Sequence, residues 1–396
     1  SLVKTTVGGV LNSLGGAISG NGGFIETSSI GQVVLDKSLR VNTSAPSGTG
    51  KSGLWLLDPI SLTIDSSGAN VISNALSTTN VTLDVTGAAC PGYGTCTNSV
   101  QGQLTFLFGA DIYSANPFTS LSVIANDGII NVNNNITAGQ VYMVAQAINI
   151  NGSVNTNGGT NSQIYLAGAA INILGSIGSN GSNSNNSNNS NNSTNNSNTT
   201  SQNTIRRNNG VNGGLISDTN TYTTNGGNIM ILATGDIQVG QSASITANGL
   251  SGGNITILSR DGNVQVNGII DAVGKANTGG NIIVAGKSHT DIIGALISVD
   301  GINVGGLISI GIANSNGSGS ILAPPAMAPP STASPEVINS VITLFQNSFT
   351  VVSQVVNINS GSGISASANT ANVISNQANT NSDCFRVLQS LLPVSI

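Results

Sequence analysis

Charge is what this chain has least of. Only 6% of its 396 residues are Asp, Glu, Lys or Arg, against roughly 25% in an ordinary soluble domain. The net charge is −5, and the ten Lys and Arg residues are scattered singly except for Arg206-Arg207. That leaves no basic footprint for nucleic acid. Aromatic residues are scarce as well, at 3%. No apolar stretch approaches the roughly 18 residues of a membrane-crossing helix, so no membrane span is expected. The chain opens Ser1-Leu2-Val3-Lys4 without a recognisable signal peptide, and a mature protein and an excised fragment are both open readings. Solubility must rest on Asn, Ser, Thr, Gln and exposed backbone. Sheet edges lack the charges that usually guard them against pairing with other chains.

Cysteine is nearly absent too: Cys90, Cys96 and Cys384. Cys90 and Cys96 bracket the turn-rich Pro91-Gly92-Tyr93-Gly94-Thr95, where a disulfide would close a short ring and suit an oxidising compartment. Metal binding is the rival reading, but a C-x5-C spacing without a nearby His makes a poor zinc site. Cys384 has no evident partner within the chain, and burial or a link between subunits both remain open. No cofactor is implied.

What the chain has is glycine at a regular interval. Gly226-Gly227, Gly252-Gly253, Gly279-Gly280 and Gly305-Gly306 are separated by 26, 27 and 26 residues. Each pair precedes a short apolar run, such as Asn254-Ile255-Thr256-Ile257-Leu258. A unit of about 20–27 residues built of short strands and turns cannot bury its apolar side alone, but stacked on copies of itself it can. The pattern predicts an all-β parallel β-helix, or β-solenoid. Upstream, paired strands such as Val141-Tyr142-Met143-Val144 and Ile148-Asn149-Ile150 suggest tighter coils of three short strands. One face of each strand should fill the tube and the other meet solvent. Phe106 and Phe108 are expected on one face, stacked inward. Corner Asn residues have two readings, a side-chain ladder from coil to coil or solvated turn positions.

The solenoid is expected over residues 1–320. Residues 179–202, rich in Asn-Asn-Ser, read as a low-complexity insertion looping from a corner. Its sequons at Asn185, Asn188, Asn191 and Asn195 are glycosylation candidates. Residues 321–335 form a Pro-rich linker. Residues 336–396 then carry an apolar run, with Val337, Ile338, Val341, Ile342, Leu344, Phe345 and Phe349 as assembly candidates. That segment is either a cap folded over the solenoid or a segment donated to a neighbouring molecule. The stretch from Phe385 to Leu392 reads as a short amphipathic helix or a final strand.

Three N-terminal pieces carry a family resemblance: Asn21-Gly22-Gly23-Phe24-Ile25-Glu26-Thr27-Ser28, Gly53-Leu54-Trp55-Leu56-Leu57-Asp58-Pro59 with Leu62-Thr63-Ile64, and Ala75-Leu76-Ser77-Thr78-Thr79-Asn80-Val81-Thr82-Leu83. Their order and spacing over residues 20–85 resemble large bacterial exoproteins of the filamentous haemagglutinin type, which a partner pore secretes across the outer membrane. The resemblance implies a right-handed β-helix at the cell surface, serving adhesion, biofilm or cell-cell contact. The chain departs from that family in lacking an evident secretion-recognition domain at its start and in its Pro-rich linker and apolar tail.

Enzymatic chemistry is the main rival. A polysaccharide-processing site needs two carboxylates a few ångströms apart, or acidic residues holding a cation. Glu26 and Glu336 are the only glutamates. The repeat register offers one cluster, Asp236, Asp261, His289 and Asp291, which stacked coils would align along a corner, where turns also require polar residues. Lys51 after Gly48-Thr49-Gly50 does not complete a phosphate-binding loop. The sequence therefore reads as a non-enzymatic extracellular or cell-surface fibre subunit that stacks head to tail with copies of itself. The alternative is a monomeric adhesin stalk or a polysaccharide-binding or -processing β-helix. Possible further partners are host, cell-surface or matrix glycans.

Overall fold

The computed structural model describes residues 4–29, 31–45, 50–85, 102–158, 162–182, 221–287, 290–292, 295–299, 301, 306–315, 349–352, 356–358, 363–365 and 372–375. They form an all-β solenoid in which strands one coil apart pair in parallel, in three ladders along the tube. The first ladder starts with Phe24–Ser29 on Leu54–Pro59 and Asn80–Asp84. It passes through the first halves of Ser120–Val132, Gln140–Ile150 and Gln163–Ile173. It then continues through Asn228–Ala233, Asn254–Ser259, Asn281–Gly286 and Leu307–Ser315. The second halves of the three long strands belong to the second ladder, which runs from Leu62–Ile64 through Gln103–Phe106 to Ile237–Val239, Val264–Val266 and Thr290–Ile292. The third joins Ile112–Tyr113, Asn135–Ala138, Ser153–Thr156, Ser176–Gly178, Ser244–Thr246, Ile269–Asp271 and Leu296–Ser298.

Parallel in-register stacking brings like residues over like. Inside the tube Val81, Leu121, Val141, Ile164, Ile229, Ile255, Ile282 and Ile308 form one column of the first ladder, all in one buried core. At about 25 cal/mol per Å² of apolar surface removed from water, such columns supply the driving force that no single coil has.

The Gly-Gly pairs mark the corner from the third ladder into the first. Gly253 donates its N–H to Ala247 O at 2.7 Å, and Gly280 to Ala272 O at 2.7 Å. A Cβ on Gly253 would sit 2.0 Å from Gly227 O, and one on Gly280 2.0 Å from Gly253 O. Each corner is stacked backbone on backbone, and only glycine fits.

The outer faces of the ladders differ. On the second ladder Thr63, Thr105, Asn131, Asn149, Asn172, Gln238, Gln265 and Asp291 stand in one row, residue over residue. Asn149 Nδ2 donates to Asn131 Oδ1 at 2.9 Å. Where the first ladder begins each coil, Asn281 Nδ2 donates to Asn254 Oδ1 at 2.9 Å and Asn254 Nδ2 to Asn228 Oδ1 at 2.8 Å. Of the two readings of recurrent Asn, the ladder is the one found. The first ladder departs from the expected wet outer face. Leu56, Tyr142, Tyr165, Met230 and Ile283 point away from the tube core, yet all are buried. Burial pushes the Tyr142 hydroxyl up to about 12. Strands covered on both faces read as continuous apolar runs rather than alternation, which is what Ile229-Met230-Ile231-Leu232 shows beside Ile237-Gln238-Val239.

One local expectation is corrected. Phe106 is buried in the core, but Phe108 is 83% exposed. The strand stops at Phe106, and the chain reverses through a turn in which Ala110 N–H bonds Leu107 O at 3.0 Å with Gly109 at φ 84°. The pleat that would return Phe108 inward is interrupted by that turn. A helix not anticipated from the sequence, Ser66–Ala75, occupies the place of a third-ladder strand and packs against Arg40–Asn42 and Ile112–Tyr113. Asp65 caps it, accepting from Gly68 N–H at 2.8 Å, and Ala69, Val71, Ile72 and Ala75 bury one side.

Residues 179–182, assigned from sequence to the insertion, are built into the coil: Gly181 N–H bonds Asn248 O at 2.7 Å and Asn180 Oδ1 accepts from Asn248 N–H at 2.8 Å. Within the segment expected as a cap or a donated segment, Phe349–Val352 pairs antiparallel with residues 312–315. Val356–Ile358, Gly363–Ser365 and Asn372–Ser375 then pair in parallel on the second, third and first ladders.

Candidate functional site

The corner cluster resolves into ordinary supports. Asp236 Oδ1 accepts the backbone N–H of Asn263, one coil on, at 2.8 Å. Asp261 is paired with Arg260 at 2.6 Å and Lys287 at 3.4 Å on the exposed surface. Asp291 lies apart, on the second ladder beside Gln265. These carboxylates cap turns and balance charge, and they do not converge on a point where a reacting atom would sit. His289 lies outside the described residues. So do Cys90, Cys96 and Cys384, the sequons at Asn185, Asn188, Asn191 and Asn195, and Val337, Ile338, Val341, Ile342, Leu344 and Phe345. Of the assembly candidates only Phe349 is described, through the backbone of its strand.

Sequence reasoning missed a second acidic group. Asp58 and Asp84 occupy successive rungs of the first ladder, each directly following the registered pair Leu57 and Leu83, and Glu26 stands on the rung before. Asp84 is buried. The Asp58 carboxyl is pushed up from the usual 3.8 to about 6, first by burial and then by the charges of Asp84 and Glu26. The signal was the shared register of Gly53–Pro59 and Thr79–Val85 in the repeat. Among the described residues no group of three or more His, Cys, Asp or Glu is placed to hold a metal ion.

A carboxyl whose folded pKa lies above its unfolded value weakens the fold when ionised. The cost is absent below pH 3.8, grows up to about pH 6 and is complete above it. Asp58→Asn should therefore raise stability near pH 8 by about 1 kcal/mol, after discounting the shift for partial exposure, and change little near pH 4. Urea unfolding at the two pH values checks this; an equal effect at both would show that Asp58 does not carry the titration.

The N-terminal end is the other distinctive surface. Lys4–Val7 pairs with Gln32–Leu35, Val10–Asn12 with Arg40–Asn42, and Phe24–Ser29 with Leu54–Pro59. Among the described residues no strand covers the other edge of these three. The same end exposes Val10 at 67% and Ile18 at 91%, with Leu14 and Phe24 also exposed.

No family model, curated protein or solved structure matches the chain. Among the described residues no helix is long and apolar enough to cross a membrane.

Proposed function

We propose that this chain is a non-enzymatic subunit of an extracellular, cell-surface fibre, in which copies stack end to end. The observation that carries the reading is the parallel, in-register stacking of like coils, with a group of exposed apolar side chains beside the first of the described coils. Val10, Leu14, Ile18 and Phe24 are exposed there, beside three strands whose second edge is covered by no strand among the described residues. An unguarded edge is a template for pairing with another chain. Apart from the antiparallel Phe349–Val352, the rungs of the three ladders run the same way, so a coil of one copy has the right polarity to add to the ladders of the next. A head-to-tail contact of this kind repeats without closing.

The resemblance of residues 20–85 to exoproteins of the filamentous haemagglutinin type supports a surface location, adhesion or biofilm as the setting, and a right-handed tube. That hand is also the one in which parallel crossovers are overwhelmingly wound. The scarcity of charge removes an electrostatic barrier to stacking.

Negative-stain electron microscopy of the full chain over a range of concentrations tests the reading. The wild type should form long filaments with an axial repeat near one molecule's length. Ile18→Glu combined with Phe24→Glu should raise the concentration needed by about tenfold or more, since burying two charges at each joint costs at least the roughly 1.4 kcal/mol that tenfold represents. Isolated short rods from the wild type at every concentration would replace the fibre with a monomeric stalk.

A further inference from the structure

From Gly128 to Ile205 the sequence contains no Asp, Glu, Lys or Arg. The coils described within that stretch therefore present a surface with no charge on it. At its N-terminal border stand two of the most exposed aromatics in an aromatic-poor chain, Phe108 on the corner between the second and third ladders and Tyr113 on the third. Between them stands exposed Asp111, the one charge at this border, which accepts from Asn135 Nδ2 at 2.9 Å; beyond it the same corner carries hydrogen-bonded rows of amides and hydroxyls. Asn149 donates to Asn131 at 2.9 Å, Asn151 to Asn133 at 2.8 Å, and Ser153 to Asn135 at 2.6 Å. A side-chain amide has two donors and an acceptor with two lone pairs, so bonding along the row uses only part of its capacity.

We propose that this corner, from Phe108 to Leu174, binds an extended, neutral polysaccharide lying along the tube axis. The inference goes beyond the assembly reading and does not depend on it. Phe108 offers a flat apolar face of the kind that stacks on the C–H face of a sugar ring. The amide rows repeat at about 4.8 Å per coil, a rise comparable to that of one sugar in an extended β-linked chain. The rows are held in place by their own hydrogen bonds, so little side-chain freedom is lost on binding.

Other partners fit less well. Nucleic acid, anionic lipid and acidic polysaccharide all need cations, and no Lys or Arg occurs between Lys51 and Arg206. A protein partner needs a contiguous apolar centre. Here Leu107 and Phe108 are exposed at one border and Leu174 at the other, separated along the corner by Asn133 and Asn151.

The test is retention of the full-length chain on insoluble cellulose, on insoluble chitin and in gels containing soluble mixed-linkage β-glucan, at low salt and at about 1 M NaCl. Retention on at least one of these glycans is expected, unchanged by salt. It should fall about tenfold or more in Phe108→Ala, recover in Phe108→Trp, and leave the melting temperature within about 2 °C, as befits an exposed turn residue. Retention no greater than that of serum albumin on all three overturns the proposal, as does equal retention by Phe108→Ala or elution by salt alone. Filament formation by Phe108→Ala, read in the same samples, separates this outcome from any failure of assembly.

Discussion

Replacing Gly280 by alanine is expected to cost more than about 4 kcal/mol, a loss reserved for the severest single substitutions. The reason is not side-chain size. The Cβ itself would sit 2.0 Å from Gly253 O and 2.8 Å from both Gly252 C and the Ala272 side chain. Gly253 stands in the same relation to Gly227, and Gly306, at 1.8 Å, to Gly280. Relief at one corner would have to lift the coil off its neighbour, and the clash is with backbone, which cannot rotate away. Gly109→Ala is the internal control. Its Cβ would meet nothing within 4 Å and only the backbone angle, φ +84°, is unfavourable, so a loss of about 1 kcal/mol is expected. Urea unfolding followed by circular dichroism compares the two. A Gly280→Ala protein as stable as Gly109→Ala would contradict the stacked-glycine corner.

That corner was also the part of the fold most legible in the sequence. A Gly-Gly pair every 26 or 27 residues, each leading into an apolar run, announces both the coil length and the tightness of the turn. The second ladder was legible for a related reason, because Ile148-Asn149-Ile150 and Ile171-Asn172-Ile173 alternate strictly. The burial of the first ladder's outer face was written in Ile229-Met230-Ile231-Leu232, but a short apolar run can fill a core from either side, and periodicity does not say which. The Ser66–Ala75 helix left a trace in Asp65 and in Ala69, Val71, Ile72 and Ala75 at helical spacing, outweighed by the strands on either side. Phe108 could not be read from alternation, since its direction depends on where the strand ends. The pairing of Asp58 with Asp84 is a matter of register between coils of different length, which Asp65-capped helix and loop insertions obscure. The exposed group of Val10, Leu14, Ile18 and Phe24 belongs to the assembled ladders and has no local sequence signature.

Trp55→Ala is expected to cost about 3–5 kcal/mol, the range for emptying a large buried aromatic site. Trp55 is the only tryptophan. It is fully buried, stacked between Ile25 and Val81 on neighbouring rungs, and its Nε1 donates to Thr27 Oγ1 at 3.2 Å. Thr27 is buried as well, so alanine would leave both a cavity and a hydroxyl without its donor. The position of the loss matters more than its size. In a stacked solenoid stability is a sum of coils and of contacts between nearest neighbours, so the damage should stay near the end that holds Trp55. Hydrogen exchange is expected to lose protection over residues 24–64 while residues 254–286 keep theirs. Filament formation should fail in the same variant, because the coils beside the exposed Ile18 and Phe24 are the ones that loosen. Uniform loss of protection along the whole tube would instead mark the solenoid as a single cooperative unit, and the N-terminal coils could then no longer serve as a joint that opens or closes independently of the shaft.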